Sequence, residues 1–282
     1  SFTLSTLGSF QRTGGAVNLR GLLDNTGTTL TLDAAAGSWH LRGGTVRGGT
    51  VVETEGAQLI TTNESGVLDG VTLVGDLQLG TTDARVTIVN GLELNGTATL
   101  SAAGSRLEFS GTQTLRGTGT VVLSNAWANG IRVVTGGSTL TLGPQITVRG
   151  GSNQNYSARI GYHDWHGGPS NVLVVNQGKI IADTAGMAIT TLGQGFTNST
   201  EGTLEATNGG HLNLTNLQVT SGTVHVGPDS TLSVAGTWTN TGTITSDAGT
   251  VNLGGSFTLA TLGTFQRTGG AVNLRGLLDN TG

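Results

Sequence analysis

The stretch TLEATNGGHLNLTNLQVTSG, residues 203–222, is followed by TVHVGPDSTLSVAGTWTNTG and then by TITSDAGTVNLGGSFTL, and the three align at an offset of 20 residues. The alignment sets Leu204 beside Val224 and Ile244, Leu212 beside Leu232, Leu214 beside Val234, and Gly222 beside Gly242; the third copy is one residue shorter before Val251. Within each copy apolar residues alternate with polar ones, as in Val224-x-Val226, which is the period of a strand with one buried face. Gly, Asn, Asp and Ser fill the gaps between strands and supply turns. A sandwich has no reason to bring equivalent residues back at constant spacing, whereas stacked coils require it. The expected fold is all-β, a parallel β-solenoid (β-helix) with coils of roughly 20–25 residues and rungs about 4.8 Å apart. Leu204, Val224 and Ile244 would then lie one above another inside it.

Elsewhere the register loosens but the vocabulary persists, as in GTVRGGTVVETEG and ARVTIVNGLELNGTATL. Glycine numbers 49, there are three prolines, one methionine and a single lysine (Lys179), and hydrophobic residues make up 35%. Such a composition suits Thr- and Val-rich strands joined by glycine turns and leaves almost no helix. Ten to twelve coils are expected in about 255 residues.

A second, longer period overlies the first. Residues 1–27 recur as residues 256–282, changed only where Ser5 becomes Ala260 and Ser9 becomes Thr264. Gln11, Arg12, Asn18, Arg20 and Asp24 all return, which alternation alone would not preserve. The chain therefore reads as one solenoid unit, residues 1–255, followed by the start of the next near-identical unit, 256–282, continuous with it and part of a longer array. Phe257 and Leu259 are expected to carry the coils onward, with the two 27-residue copies superposable. Neither end supplies an obvious cap, so the end coils would expose pairing edges unless another copy continues them.

Charge narrows the function. Charged residues reach only 11%, the net charge is −4, and no basic run occurs. A nucleic-acid surface needs clustered Lys or Arg to displace counterions, so none is expected. No apolar stretch approaches the roughly 18 residues of a membrane span. With no cysteine, stability must rest on hydrogen bonds and packing, which suits long secreted chains.

The phrases FSGTQTLRGTGTVVL (109–123), TNSTEGTLEATNGGHLNL (197–214) and AGTWTNTGTITSDAGTVNLGGSF (235–257) resemble the repeats of bacterial extracellular giant proteins with parallel β-helix repeats, the filamentous-haemagglutinin-like and autotransporter-passenger-like families. The resemblance implies secretion to the bacterial cell surface or beyond and a role as stalk, fibre or adhesin.

The segment GGSNQNYSARIGYHDWHGGPSNVLVVNQG, residues 150–178, departs from this pattern, with both tyrosines, two of five histidines and a tryptophan. Tyr156, Tyr162, His163, Asp164, Trp165 and His166 form the candidate ligand or chain-contact patch. Its aromatics could stack on a sugar ring while Asp164 and the histidines bind its hydroxyls. The plainer reading is a lateral loop packing on the solenoid or on a neighbouring chain. His163 and His166 could ligate a metal, but H-x-x-H in a loop lacks the helical spacing of zinc enzymes. Glycoside hydrolysis needs two carboxylates some 5 to 10 Å apart; only Asp164 and Asp183 are near, and nothing in the sequence pairs them.

Trp39, Trp127 and Trp238 read as covers for coil corners. His40, His211 and His225 occupy polar positions of the alternation, with His225 facing solvent. The turns LDNTG, GPDS and SDAG have the residues of a calcium ligand set, though turn chemistry alone accounts for them; otherwise no cofactor is expected. The expected function is that of a structural, non-enzymatic repeat of an extracellular bacterial filament, fibre or stalk, stacking coils end to end and associating laterally. Its partners would be further copies of itself. The alternative is an adhesin whose 150–178 region binds host or matrix glycans.

Overall fold

The computed structural model describes residues 1–8, 10–153 and 158–281. It is a parallel β-solenoid of about 12 turns, 52% strand and 3% helix. Each coil contributes strands to three faces. A typical coil runs through Leu22–Asp24 on a first face, Thr29–Leu32 on a second and Trp39–Leu41 on a third. The third-face strands form a 12-stranded sheet of their own. The first two faces merge into a 22-stranded sheet, because Val67–Val74 and Arg85–Leu94 run across the corner between them. Asn90 (φ 58) and Gly91 (φ 88) make that corner in the longer strand, a conformation open to Asn and Gly at little steric cost.

The 20-residue alignment is the ladder itself. Leu204 pairs with Val224 and Val224 with Ile244 on the third face, all three buried. Leu212 and Leu232 pair on the first face. Outward positions stack as well: Asn213 donates to Thr190 Oγ1 (3.2 Å) and Asn252 to Ser233 Oγ (3.1 Å). Gly222 and Gly242 recur because the coils touch there; a Cβ on Gly222 would lie 2.0 Å from Gly202 O, and one on Gly242 2.0 Å from Gly222 O. Only hydrogen fits between these rungs.

Coil length varies more than the expected 20–25 residues. The register Leu59↔Leu77 closes a coil of 18 residues, and Val148↔Ile180 one of 32. The long coils keep their three rungs and loop the surplus outward, around Trp127 and over residues 162–172. A loop between fixed rungs adds closure entropy only slowly with length, so the ladder tolerates it.

Two tryptophans depart from the corner reading. Trp39 points inward from a third-face strand, and Trp238 is buried with its ring 5.0 Å from that of Phe257. The 20-residue offset sets Trp238 against exposed Gln218; the local register shift at Phe196/Thr197 breaks strict alternation on this face, and the indole turns inward, donating Nε1–H to Gly254 O at 3.0 Å. Trp127 does remain outside, 43% exposed. His225 lies on the outward side beside Thr245.

The ladder runs through the repeated segment. Thr250–Leu253 pairs with Ala271–Leu274, Thr243–Ser246 with Thr264–Arg267, and Ser256–Thr258 with Leu277–Asp279. Leu259–Leu262 makes a single helical turn closed by a Thr258/Thr261 capping box, and Leu4–Leu7 repeats it with Thr3 and Thr6. The copies nevertheless do not occupy equivalent places. Val17–Leu19 lies on the third face over Trp39–Leu41, while its counterpart Val272–Leu274 lies on the first face over Val251–Leu253. The pairing Phe2↔Leu23 recurs as Phe257↔Leu278, but Thr264–Arg267 is a strand where residues 10–12 are not, and the copies occupy different faces.

Candidate functional site

The irregular region folds back onto the first face. Ala158–Gly161 is an ordinary rung, pairing with Gly130–Val133 below and Met187–Leu192 above. After Gly161 (φ 103) the chain leaves the ladder, and a bridge His163↔Gly167 closes a small loop. Tyr162 turns its ring toward the core instead of outward. Tyr156 lies outside the described residues.

Beneath this loop sit outward-facing side chains of earlier coils that would ordinarily be wet. Arg106 and Glu108 are 6% and 8% exposed. Glu108 Oε1 accepts from Arg106 Nε at 3.0 Å and from Arg132 Nη1 at 2.8 Å. Arg132 Nη2 then reaches the loop, donating to His166 O (3.1 Å) and Gly167 O (2.9 Å). Arg106 also meets Asp83 at 3.3 Å. One carboxylate thus holds two guanidinium groups, and one of these clamps the loop by its carbonyls.

The sequence-selected residues divide accordingly. His163 and His166 do come together, ring centroids 4.5 Å apart. His163 is fully buried, and burial first, then coupling to the His166 imidazole and the Arg159 charge, push its pKa down to about 3 against the pull of Asp164. His166 is lowered too, by burial and by Arg106 and Arg132. Ala128 O lies 3.1 Å from His166 Nε2; a carbonyl only accepts, so that bond places a proton on Nε2 and leaves Arg106, 3.3 Å away, as a packing neighbour. Two neutral imidazoles among three guanidiniums form a poor cation site. Among the described residues no group of three or more His, Asp or Glu side chains is placed to hold a metal.

Asp164 faces outward and takes both arms of Arg159, at 3.0 and 3.1 Å. Burial raises its pKa, but the Arg159 hydrogen bond and charge outweigh this and hold the carboxyl below its ordinary value. Asp183 serves a different corner, accepting from Arg149 and from Gly150 N at 3.1 Å. The two carboxylates are bound by different arginines.

What the loop presents outward is aromatic. Trp165, 50% exposed, lies 5.3 Å from Trp127 at a 60° tilt. Trp127 stands apart from the loop in the sequence; its place in the irregular SNAWANG insertion just before the Gly130 rung is the signal that links the two.

A further group without a sequence signal is Glu53, at a corner of the second face. Its oxygens accept from Leu59 N (2.6 Å) of its own coil and Asp76 N (2.7 Å) of the next. Burial pushes its pKa up to about 7 against those two bonds, aided by Asp76.

Comparison of the chain with protein-family models, curated proteins and solved structures returned no match. The fold and the clamped loop therefore define the class on their own: a parallel β-solenoid with one decorated face.

Proposed function

We propose that the chain is a structural repeat of an extracellular bacterial filament, fibre or stalk, whose units stack coil on coil. The observation that carries this reading is the ladder through the repeated segment. Thr250–Leu253 serves as template for Ala271–Leu274, and the last rung leaves Leu274, in register with buried Leu253, 60% exposed. The first-copy counterpart Leu19 is 3% exposed because Trp39–Leu41 covers it. A further coil would bury Leu274 in the same way, at about 25 cal/mol per Å² of apolar surface. Export fits the cysteine-free composition and the resemblance to bacterial surface repeats. Low charge and Thr-rich outer faces allow parallel solenoids to lie side by side. The test is electron microscopy of a protein carrying one, two and three 255-residue units: rods should lengthen by roughly 50 to 60 Å per unit, whereas beads joined by flexible links would refute stacking.

A second reading is supported by the Trp127–Trp165 pair. Two half-exposed indoles beside Asp164 suit stacking on a sugar ring, which makes the decorated face an adhesive surface on the stalk. Binding to a glycan array that is lost in Trp165→Ala would favour it, and an array silent for the unaltered protein would remove it.

A further inference from the structure

We infer that each 255-residue unit advances the solenoid by a whole number of coils plus one face, so that successive units display the same residues on successive faces. The inference rests on the stacking reading above and adds its rotation. From Phe2–Thr3, eleven first-face steps lead to Thr250–Leu253, and Ser256–Thr258 lies one face further. The other repeated strands agree. Leu22–Asp24 pairs with Thr45–Arg47 on the first face, and its counterpart Leu277–Asp279 pairs with Ser256–Thr258 on the second. Val17–Leu19 on the third face returns as Val272–Leu274 on the first.

Such a step requires that different corners accept the same asparagine cap, and the structure shows this within one chain, although Gly27 takes the left-handed conformation (φ 69) and Gly242 does not. The sequence Asn-Thr-Gly-Thr occurs at 25–28, between the first and second faces, and at 240–243, between the second and third. Both asparagines are buried, 0% and 3% exposed. Asn25 Nδ2 donates to Thr50 O (2.9 Å) and Gly48 O (3.4 Å) of the coil ahead. Asn240 Nδ2 donates to Thr264 O (3.1 Å) and Leu262 O (2.9 Å) in the same manner. The capped turn at Leu4–Leu7 and Leu259–Leu262 likewise follows a first-face strand in one copy and a second-face strand in the other. The asparagine cap and the capped helical turn are thus portable between corners, and a unit built with such devices can start on more than one face.

The consequence concerns surface display. The loop that carries Trp165 covers the first face here; in the next unit it covers the second and in the one after that the third. Eleven and one third coils correspond to about 54 Å of rise, and three units to about 160 Å before the display repeats. The filament would therefore present its aromatic pairs around its whole circumference.

Because the chain contains no cysteine, paired cysteines test the step directly. Neighbouring rungs about 4.8 Å apart fall within disulfide reach of roughly 4.4 to 6.8 Å between Cα atoms. In the full chain, N252C/N273C should close on mild oxidation and T245C/N273C should not. N18C/H40C should also close, fixing the first copy on the third face. Closure of T245C/N273C would put the second copy on the same face as the first and overturn the step while leaving stacking intact. Failure of both Asn273 pairs would overturn the step and stacking together.

Discussion

Leu19 and Leu274 are the same residue of the same 27-residue segment, yet one is 3% and the other 60% exposed. Phe10 and Phe265 differ as well: Thr264–Arg267 is a strand seated on Thr243–Ser246, whereas Phe10 packs its ring edge-on to Trp39 at 5.8 Å. The first copy pairs with the coil after it and the second with the coil before it. Local sequence supplies alternation and turns, and a neighbouring rung decides whether a strand forms.

The hardest blow to this comparison is a charge under the second copy. Val251 is fully buried and pairs with Val272, so Val251→Asp should cost several kcal/mol, as an unpaired buried charge does. It should abolish hydrogen-exchange protection over 264–279 and leave residues 45–142 protected. Next comes the clamp. Glu108→Ala leaves Arg106 and Arg132 without their shared carboxylate and should cost about 3–5 kcal/mol, seen as loss of protection over 158–168 and a shift in Trp165 fluorescence. The two leucines then give the sharpest contrast. Leu19→Ala should cost about 2–5 kcal/mol, and Leu274→Ala under about 0.5 kcal/mol, read as local opening free energies by hydrogen exchange; equal effects would mean that the copies are not in different environments.

The alternation and the 20-residue offset made the all-β solenoid legible, because stacked coils repeat residues such as Leu204, Val224 and Ile244 directly. The continuing vocabulary likewise indicated the number of coils. Face assignment was not legible, since a turn such as Asn25–Thr28 or Asn240–Thr243 reads the same at any corner. At the site, composition singled out residues 150–178, and His163, Asp164, Trp165 and His166 do share one loop. The clamp was not legible because Arg106, Glu108 and Arg132 occupy outward positions on earlier coils, where alternation predicts solvent. Glu53 was hidden for a related reason: its role depends on Leu59 and Asp76, neighbours set by coil length and not by spacing.

The smaller effects depend on pH and act in opposite directions. The folded state favours neutral Glu53, whose pKa rises from 4.5 to about 7; its contribution is complete below about pH 4.5 and is lost as pH rises through 7. Glu53→Gln should flatten that part of a melting-temperature profile. His163 falls from 6.5 to about 3, so its contribution is present above 6.5 and is lost as pH drops toward 3. His163→Phe should remove that acid-side slope, most visibly in protection of residues 158–168.

The central claim is that coils continue because each rung templates the next. Residue-resolved hydrogen exchange on the intact chain tests it with the sequence as its own control, comparing Phe10 and Gln11 with Phe265 and Gln266. The account predicts that the strand 264–267 exchanges slower by orders of magnitude than its first-copy counterpart. Equally fast exchange in the two copies would show that the ladder stops at Leu253 and would contradict it.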